Sequence, residues 1–193
     1  MLSHSNPFRG RGESENLEMR GKMEEIKKVI RDVPDFPKPG IIFKDITPIL
    51  QNAEVFQKTI QALVNRYQHK SFDKIAGVES RGFLFGAALA YALKKSFLLI
   101  RKKGKLPWKT VSMSYDLEYG TDTIQMHEDA VSKGESVLLI DDLLATGGTS
   151  LAACDLIQKM GGKILECSFV VELDFLKGRD RLKNFEVFSL IHY

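Results

Sequence analysis

Along this chain, continuous apolar runs alternate with stretches of helical period. Lys74–Val78, Phe97–Ile100, Val137–Ile140 and Lys163–Leu173 are runs of β-forming residues, the pattern of strands buried on both faces. Between them, apolar residues recur every three to four positions. Phe85, Ala88, Leu89, Ala92 and Leu93 form one such stripe, and Leu151, Leu156 and Ile157 another. Earlier, Asn52 is a good N-cap for a helix carrying Phe56, Ile60, Leu63, Val64 and Tyr67. Ile26, Val29 and Ile30 predict a short helix that stops at Val33-Pro34, because proline steers its predecessor away from α. Leu176–Leu182 reads as a short helical connection and Glu186–Ile191 as a last strand. Strand–helix alternation of this kind predicts an α/β fold, a mainly parallel twisted sheet with helices on both faces.

Three stretches break the alternation. Residues 1–22 have no apolar period and are rich in Ser, Asn, Gly, Arg and Glu; they read as a disordered leader, a tag remnant or over-extended start, ahead of a domain at 23–193. Pro34-Asp35-Phe36-Pro37-Lys38-Pro39-Gly40 is too proline-rich for a helix or central strand, and the extended Ile41–Asp45 follows it; composition alone reads this stretch as a rigid surface turn covering an edge. Residues 102–133 begin within the basic run Arg101–Lys105 and continue as polar, β-like sequence, the pattern of a long flap.

Composition narrows the class. With 44% apolar and 27% charged residues, the chain is an ordinary globular one. Its formal charge of +3 is too mild to argue for nucleic acid and is compatible with a small anionic substrate. No apolar run has the length of a membrane span. Cys154 and Cys167 show no motif spacing, which predicts reduced, buried thiols in a cytoplasmic protein.

The chemistry concentrates after the third apolar run. Asp141 and Asp142 arrive where that strand should run out, and Ala145-Thr146-Gly147-Gly148-Thr149 leads into a helix beginning near Thr149. Two glycines let the backbone press close to a ligand. Amides from Ala145 to Thr149, at a helix N-terminus, suit a phosphate, with the Thr146 and Thr149 hydroxyls as further donors. The two carboxylates would repel that phosphate and need hydroxyls or a cation instead. A sugar 5′-phosphate satisfies both halves.

Asp141-Asp142-Leu143-Leu144-Ala145-Thr146-Gly147-Gly148-Thr149 resembles the phosphoribosyl-pyrophosphate signature of type I phosphoribosyltransferases, and its Leu-Leu-Ala is the variant of the adenine-specific branch. Pro34–Pro48 resembles that branch's base-binding arm, which implies a small N-terminal hood at residues 33–50, and Leu117-Glu118-Tyr119-Gly120 resembles its hood loop. The likeness covers nearly all of residues 23–193.

The resemblance implies transfer of a 5-phosphoribosyl group from phosphoribosyl pyrophosphate to N9 of adenine, giving AMP and pyrophosphate. Phe43 would stack on the purine against Leu143, while the main chain of Ile42 and Lys44 reads its edge. Glu79, Ser80 and Arg81 would meet the pyrophosphate, with Arg81 as a catalytic fork, and Glu79–Ser80 is a candidate cis peptide. Arg101 and Lys105 are further pyrophosphate contacts, able to reach a neighbouring subunit in a homodimer. Glu118 would manage the purine proton and Tyr119 would shut out water. Mg²⁺ is the implied cofactor, held mainly by substrate oxygens and water with no direct protein ligand. Two alternatives stand beside this reading: a 6-oxopurine phosphoribosyltransferase, and a non-catalytic regulator that senses phosphoribosyl pyrophosphate. The first expects a lysine and a C-terminal aromatic on the base; the second expects a DNA-binding helix pair or a basic RNA-facing patch.

Overall fold

The structure, a computed structural model, describes residues 13–36, 38–116 and 120–193. These divide into two compact units, one up to Asn65 and one from Arg66 to Tyr193.

The first unit opens with helix α1, Glu13–Val29. It begins ten residues before the helix start expected at Met23. Glu, Leu, Met, Arg and Lys are strong helix formers, and a helix once nucleated propagates through them without needing an apolar stripe. Ile26 and Ile30 are buried at its other end. Strands β1 (Arg31–Pro34) and β2 (Ile42–Asp45) pair antiparallel, and between them the amide of Gly40 donates to Asp35 Oδ1 at 2.7 Å. A short helix α2 (Thr47–Gln51) leads into α3 (Ala53–Tyr67). Asn52 caps α3 as expected, its Oδ1 accepting the amides of Glu54 and Val55 at 3.1 Å each. The buried stripe is Val55, Thr59, Leu63 and Tyr67, rotated slightly from the apolar one. Thr59 is tolerated inside it because its hydroxyl donates to the Val55 carbonyl.

The second unit is built on a seven-stranded sheet, ordered β5-β6-β4-β3-β7-β8-β9. Its strands are β3 (Lys74–Val78), β4 (Ser96–Lys102), β5 (Thr110–Asp116), β6 (Thr121–His127), β7 (Ser136–Leu144), β8 (Lys163–Glu172) and β9 (Val187–His192). From β4 through β3, β7 and β8 to β9 every pairing is parallel; β5 and β6 add an antiparallel ribbon at one edge. Helix α4 (Gly82–Leu93) links β3 to β4, and α5 (Gly148–Lys159) links β7 to β8. From the central pair β3–β7 these crossovers run in opposite directions along the sheet. With right-handed connections, that puts α4 and α5 on opposite faces.

Alternate residues of β7 record the two faces. Leu139 belongs to the core cluster that includes Ala152, Ala153 and Leu156 of α5, whereas the Ile140 side chain lies against Gly86 of α4. On α4 the buried residues are Gly82, Phe85, Gly86, Leu89 and Ala90; Ala92, expected inward, is exposed. The flap segment is less peripheral than its polar sequence suggests. Ile124, Met126 and Val131 are buried in the same core cluster as α5.

Candidate active site

Where two parallel crossovers diverge, the strand ends leave a crevice, the usual ligand position in an open α/β sheet. Here a cavity of about 420 Å³ occupies it. Its lining comes from the end of β3 (Val78), the turn after it (Glu79, Ser80, Arg81), β4 (Ile100, Lys102), the ribbon (Tyr115, Asp122, Ile124), β7 (Asp141, Asp142, Leu143) and Thr149 of α5.

The acidic pair lies within β7 and not beyond it, since Asp141 pairs with Phe169 and the ladder continues to Leu144 opposite Glu172. Adjacent strand residues point to opposite faces, and the two acids meet different neighbours. Asp141 Oδ1 stands where a Cβ on Gly82 would be only 2.7 Å away, so helix α4 starts directly against this carboxylate and needs glycine there. Burial, then the adjacent charge of Asp142, pushes the Asp141 pKa well above the usual carboxylate range. Asp142 is buried, and its Oδ2 accepts from Arg81 Nε at 2.5 Å.

The loop from Ala145 to Thr149 is shaped from behind. Gly147 has φ 79°, the left-handed region, and a Cβ there would sit 2.5 Å from the Gly178 carbonyl oxygen. Gly178 in turn leaves no room for a Cβ beside the Ala145 carbonyl. The 174–178 segment, which carries no chemistry in sequence, is therefore the wall against which the loop is moulded. Helix α5 begins at Gly148, one residue before the expected Thr149.

Beside β3, the Glu79–Ser80 peptide is cis. Glu79 does not face the cavity alone. Its carboxylate takes the Arg101 fork at 3.2 and 3.1 Å and the Lys102 amide at 2.9 Å. Burial alone would raise the Glu79 pKa; the Arg101 and Lys102 hydrogen bonds outweigh it, and the net shift is downward. Arg101 also donates to the Lys105 carbonyl at 2.8 Å. Among the described residues, the basic group that β4 contributes to the lining is Lys102. Lys102 Nζ pairs with Asp122 Oδ2 at 3.2 Å, and Tyr115 donates to the same oxygen at 3.2 Å. Sequence reading missed Lys102, Tyr115 and Asp122 because their signal is their cross-strand register, in which Tyr115 stands opposite Asp122.

Of the base-binding candidates, Ile42, Phe43 and Lys44 lie on β2 of the first unit, where Phe43 meets Phe36 edge-on at 5.3 Å and Lys44 Nζ pairs with Asp32 at 2.6 Å. Leu143 lines the cavity of the second. Glu118 and Tyr119 lie outside the described residues, as does Pro37 of the hood.

A family model described as the phosphoribosyl transferase domain matches residues 45–191. The chain belongs to the phosphoribosyltransferase family. Within that family, curated proteins and solved structures similar to it include adenine phosphoribosyltransferases. Adenine phosphoribosyltransferase of Geotalea daltonii is 57% identical over 171 residues, covering 89% of this chain and 100% of that protein. The crystal structure of the Thermoanaerobacter pseudethanolicus adenine phosphoribosyltransferase is 50% identical with a TM-score of 0.86, covering 89% of this chain and 99% of that one. That of Saccharomyces cerevisiae, solved with adenine and an imino-altritol bisphosphate, is 42% identical with a TM-score of 0.84, covering 89% and 99%. The predicted α/β phosphoribosyltransferase fold is the one observed.

The cavity's carboxylates suit the family's use of a divalent cation in a particular way. Among the described residues, Glu79, Asp122 and Asp142 each already pair with a basic side chain. A Mg²⁺ ion held by substrate oxygens and water, with few protein ligands, fits such a set.

Proposed function

We propose that this chain transfers the 5-phosphoribosyl group from phosphoribosyl pyrophosphate to N9 of adenine, giving AMP and pyrophosphate in purine salvage. The observation that carries this reading is the union of Asp141, Asp142 and Thr149 in one cavity at the sheet's crevice, in a chain 57% identical to an adenine phosphoribosyltransferase.

In this reading the amides of Ala145, Thr146, Gly147, Gly148 and Thr149 hold the 5′-phosphate, and the threonine hydroxyls add donors. Asp141 and Asp142 take the ribose hydroxyls and so fix C1′ for displacement. Arg81, held from behind by Asp142, offers its remaining donors to the pyrophosphate together with Ser80. Glu79 keeps Arg101 and the end of β4 in place, and Arg101 and Lys105 meet the pyrophosphate. A Mg²⁺ ion, held by substrate oxygens and water with no direct protein ligand, would supply charge neutralisation for the departing pyrophosphate. Phe43 and Leu143 supply the apolar faces for adenine, and the backbone of Ile42 and Lys44 supplies a donor and acceptor pattern that mismatches a 6-oxo purine. Glu118 manages the purine proton, and Tyr119 helps exclude water. The enzyme works as a cytoplasmic homodimer.

The test is product formation from phosphoribosyl pyrophosphate and Mg²⁺ with adenine, hypoxanthine or guanine in parallel, wild type beside Glu118→Ala. AMP from adenine alone, with turnover strongly cut in the variant, is expected. Turnover confined to a 6-oxo purine would overturn the base assignment, and substrate binding without turnover on any base would make the chain a sensor. Light scattering on the eluting protein checks the dimer.

A further inference from the structure

The wall behind the phosphate loop is itself held by a buried ion pair. Gly178 meets the loop at two points: a Cβ on it would stand 2.3 Å from the Ala145 carbonyl oxygen, and a Cβ on Gly147 would stand 2.5 Å from the Gly178 carbonyl oxygen. The next residue is Arg179, whose Nε and Nη2 donate to Oε1 and Oε2 of Glu172 at 2.7 Å each. Its Nη1 donates to the Val187 carbonyl on β9 at 2.9 Å. Glu172 is buried, and Ser189 Oγ donates to its Oε2 at 2.5 Å. Glu172 is also the last residue of β8, paired in register with Leu144 of β7, the residue from which the loop departs.

We infer that Glu172 and Arg179 are positioning residues of the 5′-phosphate site, acting through Gly178 on the loop from Ala145 to Thr149. Among the described residues, neither lines the cavity. Their effect on a phosphate therefore passes through the backbone. The loop leaves β7 at Leu144, which the ladder fixes to Glu172, and it rests on Gly178, which a peptide bond fixes to Arg179. The ion pair closes that circuit. A planar guanidinium on a planar carboxylate, joined by two parallel hydrogen bonds, sets orientation as well as distance. Gly178 cannot slide along the loop without bending or breaking one of them.

Precision matters here because amide donors reach a phosphate only in line, and hydrogen bonds weaken steeply as they bend. Stability alone is a poor reason for such a pair. Desolvating two charges offsets much of their attraction, and apolar side chains of similar volume often serve a fold as well. What apolar side chains do not reproduce is the fixed geometry of the fork.

The inference rests on the reading of Ala145–Thr149 as the 5′-phosphate loop, so its test separates the two. Calorimetric binding of ribose 5-phosphate and of pyrophosphate is measured well below the melting temperature of each protein. The proteins are wild type, Arg179→Lys, Glu172→Gln, Gly178→Ala and the double variant Arg179→Lys with Gly178→Ala. Lysine keeps the charge beside Glu172 and loses the fork; glutamine keeps the shape and loses the charge. Ribose 5-phosphate should bind roughly 10- to 100-fold more weakly to Arg179→Lys, the worth of one hydrogen bond to a charged group put out of line, with pyrophosphate affinity unchanged. Glu172→Gln should shift the same ligand in the same direction, and if it fails to fold, Arg179→Lys carries the test. Once Gly178→Ala has displaced the loop, Arg179→Lys should cost little more. A lower melting temperature with ribose 5-phosphate affinity intact in Arg179→Lys makes the pair purely structural and overturns the inference. Equal loss of pyrophosphate binding overturns it as well, as do fully additive losses in the double variant. A wild type that fails to bind ribose 5-phosphate at all sinks the phosphate-loop reading itself.

Discussion

Arg81 Nε stands 2.5 Å from Asp142 Oδ2, joining the turn after β3 to the strand β7 that lies beside it. The carboxylate is 7% exposed and the arginine 40%, so a buried anion is matched by a cation that still reaches the cavity. One contact therefore serves both folding and chemistry: it neutralises Asp142 and aims Arg81.

Changing Arg81 should consequently move two quantities together. Arg81→Ala strands a buried carboxylate, at a cost of about 1–3 kcal/mol, and removes a phosphate fork, lowering kcat/KM on the order of 100-fold. Arg81→Lys keeps the charge without the fork and should recover stability more than activity. Thermal melts and steady-state kinetics on the same samples check this; recovery of activity without stability would contradict the paired arrangement.

Asp141 carries a stability cost that depends on pH. Its folded-state pKa is raised above the usual 3.8, first by burial and then by Asp142. The folded state therefore holds this proton more tightly than the unfolded one. Stability from this group is fully present below the ordinary carboxylate pKa and is lost as pH rises through the raised value. Asp141→Asn should then melt higher than wild type near neutrality, by about 2–4 °C for each kcal/mol recovered, with the gap closing towards about pH 4. It should also lose affinity for ribose 5-phosphate. Equal melting temperatures at neutral pH would show that the site bears no such cost.

Gly178 touches no substrate in the proposed scheme, yet it should matter for phosphate binding. A Cβ there runs into the Ala145 carbonyl and the Leu144 side chain, which displaces the loop from behind. Gly178→Ala should weaken ribose 5-phosphate binding while leaving adenine binding closer to wild type. Gly147→Ala adds the left-handed backbone penalty, about 1 kcal/mol or more, and should be worse in both stability and binding. The binding isotherms decide it; a Gly178→Ala protein with full phosphate affinity would remove the wall from the account.

Deleting residues 1–22 should leave activity intact. The residues lining the cavity run from Val78 to Thr149, and the Lys58–Glu25 ion pair at 2.6 Å survives the cut. Kinetics and a melt of the shortened chain are the check, and a large loss of either would give the 13–22 part of α1 a role in the domain.

Much of the fold was legible because its signals are local. Lys74–Val78 as a strand, Asn52 as a cap and Gly148 as a helix start within one residue of expectation all follow from short-range pattern and backbone chemistry. The flap's polar sequence conceals core positions, since alternation on a ribbon hides Ile124 and Met126 among polar neighbours that face the other way. Helix α1 was missed over residues 13–22 because periodicity reports burial, and a helix can run on propensity without it.

By itself the sequence determined the α/β class, the acid pair with its glycine loop, and hence a site for a sugar phosphate, because each depends on residue type and spacing within about ten positions along the chain. Pairwise chemistry was left to the tertiary structure. It assigned Arg81 to Asp142, gave Glu79 to Arg101, set Gly178 behind Gly147, and brought Tyr115 and Asp122 to Thr149. Those partners are separated by tens of residues and meet only through the order and register of the strands, and sheet register is a property of packing that no local pattern contains.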